Sequence, residues 1–451
     1  MAFDYITIKN LVEEFRSEIL GTQVKESLQT EEHSLLLRFD EGHHLTICCS
    51  PHLPAIFLSP PPVSSPNHRL WQSNYLTGSV VQNIEQMGTD RIIHFQLEKQ
   101  SRIGTARRAL LIVELIGRNS NIILVDKDNG LIIDTLRRVT HQMNRFRQIL
   151  PKVTYLAPPP QTRLNPQTGS LTEFKEMICS HPDHTVVHAL VGTIVGMSML
   201  TAREVAFRSG VDWEEKSISL NREKLLELWE NIRSLYRQSS GEKAFILFDE
   251  KKSPVDFCIF NPSWVLAEQK LQVSSLNKAV EYFWSQRSQA QRRNQLRLSI
   301  STRLSKTLVS CRNKLEQLKR ELAEAENAES LRTKGELLMA SIGQIEKGQT
   351  EVKLSDFYDP QGQEVSIVLD PKLSPIENAR QYFRRYRKLR KGKTITAERL
   401  AQERKRAEEL EDYCKQAETL TDYADLLGLK DELAQKGYLK IEIPSKKRDK
   451  E

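Results

Sequence analysis

Asp90 and Arg91 stand side by side in the stretch GTDRIIHFQL, residues 88–97. After Arg91 the residues alternate, with Ile93, Phe95 and Leu97 on one face and Ile92, His94 and Gln96 on the other. That period predicts a half-buried strand entered through a Gly88-Thr89-Asp90 turn. An acid and a base at the mouth of a strand sit where rigid backbone meets solvent, a place suited to holding a ligand. The competing reading is a turn aspartate capping its own backbone beside a solvated arginine, since exposed ion pairs are weak functional signals. A second candidate is RQYFRRYRKLRKGK, residues 380–393, with eight Lys or Arg, no acid, and Tyr382, Phe383 and Tyr386 interleaved. Arg384, Arg385, Arg387, Lys388 and Arg390 are its candidate nucleic-acid contacts, because dense positive charge binds phosphate backbones through counterion release. The alternative there is the solvated face of a charged helix.

Conventional catalysis finds no foothold. There is no G-x-G-x-x-G ahead of a helix, no Walker A sequence, no G-x-S-x-G and no H-E-x-x-H. The pairs His43-His44 and His181/His184 read as surface residues rather than ligands. No catalytic residues, metal or cofactor are expected, and a binding protein is favoured over an enzyme.

The elements that position these residues fall into blocks. Residues 5–20 predict an amphipathic helix stopped by Gly21. Strand-like runs follow at 34–39, 44–49, 55–59, 91–97, 109–116, 120–126 and 131–136. Lys127-Asp-Asn-Gly130 predicts a hairpin loop, and YLAPPPQ (155–161) an extended linker. Helical patterning fills 171–240, where two helices around a Gly-bearing turn within 191–214 suggest a helix-hairpin-helix module. Strands within 241–268 are expected to complete the sheet of the first domain, 1–170. From 271 to 434 a long arm is expected. Leu304, Leu308, Cys311, Leu315, Leu318, Leu322 and Ala325 form an antiparallel coiled-coil seam, and a β-hairpin tip lies at about 350–371. Ala379, Tyr382, Tyr386 and Leu389 mark the returning helix, while Arg287, Arg292, Arg293, Arg297, Arg303 and Lys306 add charge to the outgoing one. Helices of about 70 residues would reach roughly 100 Å. Residues 435–451 read as a basic tail, disordered at its end.

Bulk properties agree with this layout. The 451 residues suffice for about three domains, and 39% hydrophobic against 28% charged residues suits long solvated helices. The net charge of +7 matters less than its local distribution. No run of ~18 apolar residues predicts a membrane span, and the N-terminus lacks the pattern of a secretory signal. Six scattered cysteines without a C-x-x-C pair suggest reduced thiols in a cytoplasmic protein.

The chain closely resembles the NFACT family, the fibronectin-binding-protein-A-like proteins whose bacterial members act in ribosome quality control. The resemblance spans nearly the whole chain. It rests on TDRIIHF (89–95), VELIGRNSNIILVD (113–126), LPKVTYLAPPP (150–160), GMSMLTAREVAFRSG (196–210), GELL (335–338), DFYDP (356–360), LDPKLSP (369–375) and ENARQYF (377–383). It implies an α+β fold: a mostly antiparallel NFACT-N domain, distantly like formamidopyrimidine-DNA glycosylases, with a helix-hairpin-helix module and a coiled-coil arm. It also implies a factor that binds the obstructed large ribosomal subunit with its peptidyl-tRNA. Such a factor holds a tRNA, typically alanyl-tRNA, and supports template-free C-terminal alanine tailing of the stalled chain.

By the same resemblance Asp90 and Arg91 belong to a tRNA-binding surface. Arg91 could fork to a phosphate or base edge, and Asp90 could orient it or accept from a ribose hydroxyl. Arg118, Arg137 and Arg138 are further candidate phosphate contacts, with solvation as the alternative. Glu114, Gly117 and Asn121 read as support: Gly117 for a tight turn, Asn121 for bonds to backbone, and Glu114 for a pair with Arg118 or Arg91. Three features depart from the family pattern. LWQSNYL (70–76) has Ser73 and Asn74 where basic residues are usual, Met199 stands where a proline is familiar, and the chain stops near where an NFACT-R domain begins in longer members. The family name makes fibronectin a second expected partner, less favoured because no signal is seen. Glycosylase chemistry is not expected, because Ala2 and Phe3 replace the N-terminal proline nucleophile and its neighbouring glutamate.

Overall fold

The computed structural model describes residues 3–31, 33–60, 69–100, 106–159, 161–237, 243–359 and 363–439. The chain divides into two compact units, Met1–Gln289 and Ala290–Glu451.

Asp4 starts the first unit by capping α1 (Tyr5–Ile19), accepting from the Thr7 amide at 2.9 Å. Ile8, Leu11, Phe15 and Ile19 are fully buried at helical spacing. Gly21, at φ +82°, turns the chain out of the helix. Five strands follow: β1 (Val24–Glu31), β2 (Ser34–Phe39), β3 (His44–Cys48), β4 (Ala55–Ser59) and β5 (Arg69–Leu70). They form one antiparallel sheet in the order β4-β3-β2-β1-β5. After the short α2 (Ser73–Leu76) comes a second sheet: β6 (Val80–Gln86), β7 (Ile92–Gln100), β8 (Ala106–Glu114), β9 (Asn121–Asp126) and β10 (Ile132–Thr135). It is an antiparallel meander, β10-β9-β8-β7-β6. Gly130, at φ +72°, closes the expected β9–β10 turn.

β1 and β6 were not legible as strands. VKESLQTE and VVQNIEQ mix polar and apolar residues, and their pairing is carried by backbone bonds to neighbouring strands. The strand after Arg91 corrects the half-buried expectation. Ile93, Phe95 and Leu97 face the main core, but Ile92 enters a second cluster with Ile112, Ile123, Ile132 and Ile149, and His94 is also buried. His44 is buried too, rather than on the surface. All six cysteines are free, and Cys48, Cys49, Cys258 and Cys311 are buried.

The helical block contains α3 (Leu171–Cys179), α4 (Val186–Thr193), α5 (Met199–Arg208) and α6 (Arg222–Arg237). Gly196, at φ +66°, lies in the turn between α4 and α5. Then β11 (Ala244–Phe248), β12 (Pro254–Cys258) and β13 (Lys270–Val273) form a separate sheet in the order β12-β11-β13. Among the described residues, the strands expected within 241–268 therefore do not complete the first domain's sheet. Both edges of β11 are occupied by its own neighbours, and only side chains such as Phe257, 5.4 Å from Phe3, join the common core.

Asp256, on β12, has its pKa pushed up to about 6 by burial. A carboxyl raised above its unfolded value contributes stability at low pH that is lost as pH rises through about 6. Asp256→Asn is expected to stabilise the protein at pH 8 by on the order of 2 kcal/mol, with little change at pH 4, in urea melts at the two pH values.

α7 (Leu276–Glu326) begins in the first unit and continues into the second. The second unit adds α8 (Ala328–Ala340), β14 (Glu351–Ser355), β15 (Glu364–Val368), α9 (Pro375–Thr419) and α10 (Tyr423–Gln435). α7 and α9 run antiparallel: Arg297 donates to the Leu420 carbonyl, whereas Cys311 contacts the Glu403 carbonyl at 3.3 Å. Leu304, Leu308, Cys311 and Leu315 of the expected seam pack with Ala407, Leu410, Tyr413 and Ala417. Arg293 and Arg297, counted in sequence among the charges of the outgoing helix, donate to the carbonyls of Thr421 and Leu420 just past the end of α9. Other residues of the sequence motifs are architectural. A Cβ on Gly335 would lie 3.1 Å from the Phe383 ring, Tyr382 donates to the Val368 carbonyl at 2.7 Å, and Ser374 with Glu377 forms a capping box. Gly362 and the tail from 440 lie outside the described residues, as do Pro160 of the linker and Pro360 of DFYDP.

Candidate functional site

Met87 through Arg91 make the turn between β6 and β7. Gly88 takes φ +55°, the Asp90 amide donates to the Met87 carbonyl at 3.1 Å, and Gln86 Nε2 donates to the Asp90 carbonyl at 2.8 Å. The Asp90 carboxylate faces Gln161 Nε2 at 3.4 Å. The turn borders a cleft of about 550 Å³ lined by Thr89, Asp90, Arg91, Pro158, Gln161 and Arg163, with Ile116, Pro159, Thr162 and Gly196 completing it.

Both charges of the pair are partly withdrawn from water. Burial raises the Asp90 pKa, against the opposing pull of Arg91. Burial also lowers that of Arg91; Asp4 and Asp90 favour its charge while Arg163 opposes it. Asp4 does this from a buried position, where it also accepts from Ser198 Oγ at 2.8 Å and Thr201 Oγ1 at 2.6 Å. Its carboxylate therefore joins the N-termini of α1 and α5 behind the cleft. The lining offers two guanidiniums, one carboxylate, amide and hydroxyl donors, and a proline wall. Such a set can take a phosphate on arginine and a hydroxyl on Asp90.

Glu114 pairs with neither Arg91 nor Arg118. It is fully buried and takes a two-pronged pair from Arg147, at 2.7 and 2.6 Å, plus the Tyr155 hydroxyl at 2.9 Å. The partner, 33 residues on, could not be chosen from local spacing. Arg147 also donates to the Leu156 carbonyl at 3.0 Å. One buried cluster thereby fixes the end of β8, the loop before β-bridge residue Ile149 and the proline segment that walls the cleft. β8 in turn meets the site directly, for Ile92 pairs with Glu114 and the Leu115 amide donates to the Arg91 carbonyl at 2.8 Å.

Gly117, at φ +55°, opens a tight turn over Gly117–Asn119. Asn121 donates to the Arg137 carbonyl at 2.8 Å and accepts from the Arg137 amide at 3.0 Å. Arg118 and Arg138 are exposed, while the Arg137 side chain donates to the Arg118 carbonyl and so braces the loop. In the second unit Arg384, Arg385, Arg387, Lys388 and Arg390 are all exposed along α9. Ser73 and Asn74, where basic residues were expected, form the start of α2, and Met199 is the first residue of α5. Sequence reading missed Asp4, Gln161 and Arg163. Only the acid-free setting of Arg163 after the prolines signalled it.

Residues 4–451 match the model of the NFACT N-terminal and middle domains. The chain is 28% identical to the Rqc2 homolog RqcH of Streptococcus suis over 98% of this chain and 76% of that protein. It is 25% identical to the Rqc2 homolog RqcH of Bacillus subtilis over the same shares. Among solved structures, the N-terminal part of the fibronectin/fibrinogen-binding protein from Streptococcus suis aligns with a TM-score of 0.51 and 24% identity, covering 63% of this chain and 99% of that one. The sheets that carry the Asp90–Arg91 cleft and the helices after them thus share a known architecture, and the chain belongs to the family of NFACT N-terminal and middle domains.

Proposed function

We propose that this protein is a cytoplasmic ribosome quality-control factor that binds tRNA through the Asp90–Arg91 cleft. The reading is carried by that cleft, where two arginines and a partly buried aspartate meet at a rigid strand end. Its similarity to proteins named Rqc2 homolog RqcH supports the same reading. Arg91 and Arg163 take backbone phosphates, and Asp90 accepts from a ribose hydroxyl. α4 and α5 act as a helix-hairpin-helix, and α7 with α9 as a coiled-coil arm whose exposed Arg384, Arg385, Arg387, Lys388 and Arg390 meet ribosomal RNA. The bound tRNA is alanyl-tRNA, and the product is an alanine tail on a chain stalled on the large subunit. The protein holds substrates while the ribosome makes the bonds.

Asp90→Ala/Arg91→Ala is expected to weaken tRNA binding about ten- to hundredfold in a filter assay at low salt, since one charge-assisted contact is worth ~1.5–3 kcal/mol. The fold should survive, because both residues sit at a turn. Unchanged binding would remove the pair from the site. Co-sedimentation with large ribosomal subunits tests the wider reading. Fibronectin is the second candidate partner, favoured only by the architecture shared with the Streptococcus suis protein. Protease shaving of intact cells separates the two, because a cytoplasmic factor stays protected.

A further inference from the structure

Residues 135–172 contain six Lys or Arg and no Asp or Glu. Within that span, 138–148 form a built loop. Val139 and Ile149 bridge its base, and the Asn144 carboxamide accepts from the amides of Phe146 at 2.9 Å and Arg147 at 3.3 Å. The buried Arg147–Glu114 pair anchors it beside the strand end that carries Arg91. Against this order, the loop holds Met143 and Phe146 in solvent, each 59% exposed. Arg138, His141 and Arg145 beside them are exposed as well, as is Arg118 on the adjoining turn. Apolar side chains held out by a rigid loop, rather than folded onto the nearby isoleucine cluster, need a partner. Exposed arginines on the same loop as an exposed aromatic ring, in a stretch of sequence without an acid, select an anionic partner with flat faces.

We propose that the loop 138–148 grips an unpaired RNA nucleotide, with Phe146 stacking on the base, Met143 packing at its edge, and Arg138 and Arg145 holding the flanking phosphates. The proposal rests on the reading of this protein as an RNA binder and adds a contact outside the Asp90–Arg91 cleft. Because Arg147 ties both to the end of β8, cleft and loop hold one RNA in a fixed register.

The test uses the full chain, a labelled RNA hairpin with 2-aminopurine in its open loop, and a blunt duplex of the same stem. Phe146→Ala should weaken hairpin binding about tenfold and leave the duplex unchanged, since stacking requires an unpaired base. Wild type and Phe146→Trp should quench 2-aminopurine, and Phe146→Ala should not. Arg138→Gln/Arg145→Gln should weaken both RNAs and lower the salt slope by about 1.5–2. An equal melting temperature for wild type and Phe146→Ala is expected, because the exposed ring bears no part of the loop's bonding. A silent Phe146→Ala, or an equal loss on the duplex, overturns the proposal while leaving the cleft reading standing. So does a Phe146-dependent attachment to phosphatidylserine vesicles without an effect on the hairpin. If wild type binds neither RNA nor tRNA, both readings fall together. If Asp90→Ala/Arg91→Ala is silent while Phe146→Ala is not, only the cleft reading falls.

Discussion

Arg147→Met will lower the unfolding free energy of this protein by about 3–5 kcal/mol, because it strands the Glu114 carboxylate in a fully buried site. Glu114 is fully buried and Arg147 only 7% exposed. Burial alone would depress the arginine's pKa, but the carboxylate beside it outweighs that and the net shift is upward. The Tyr155 phenol is raised by burial and by the same carboxylate, so it stays protonated and keeps donating. Removing charge from both partners should hurt less than removing one. Glu114→Gln/Arg147→Met leaves a neutral amide that still accepts from Tyr155, and is expected to recover at least half of the loss. Urea melts of the three variants give the comparison. A double variant as unstable as Arg147→Met would mean that packing, not the stranded charge, sets the cost. tRNA binding should fall with Arg147→Met even where the protein remains folded, since the proline wall of the cleft hangs on Arg147 through the Leu156 carbonyl.

Gly196→Ala is the second large effect, about 2–4 kcal/mol. The position combines φ +66° with a crowded surrounding: a Cβ would lie 2.7 Å from Tyr5 Cβ and 2.8 Å from the Thr89 carbonyl oxygen. Neither neighbour is the far end of a flexible side chain. Overpacking costs ~1–3 kcal/mol and a left-handed alanine about 1 more. The Gly196 carbonyl also accepts from the Tyr5 amide at 2.9 Å, so the two segments cannot separate freely. Pushing Thr89 aside shifts its neighbour Asp90, and tRNA affinity should drop with stability. Gly210→Ala is the control. Its φ of +60° is similar but nothing lies within 4 Å, so about 1 kcal/mol is expected. Equal losses at the two glycines would show that the close approach to Tyr5 and Thr89 carries no weight.

By itself the sequence determined what depends on neighbours along the chain. Periodicity marked α1, most strands of the two large sheets, the α7 seam and the β14–β15 hairpin, because burial repeats every two residues in a strand and every three to four in a helix. Turn chemistry marked Gly117 and Gly130, and the order of motifs marked the family. Tertiary structure alone decided what depends on distant partners. It chose Arg147 for Glu114, gave β11 its own sheet, turned Arg293 and Arg297 into caps for the end of α9, and brought Asp4 and Arg163 to Arg91. Backbone hydrogen bonding and side-chain charge carry no record in the chain of which remote group will satisfy them. That choice is made only when packing excludes water and leaves one partner within reach.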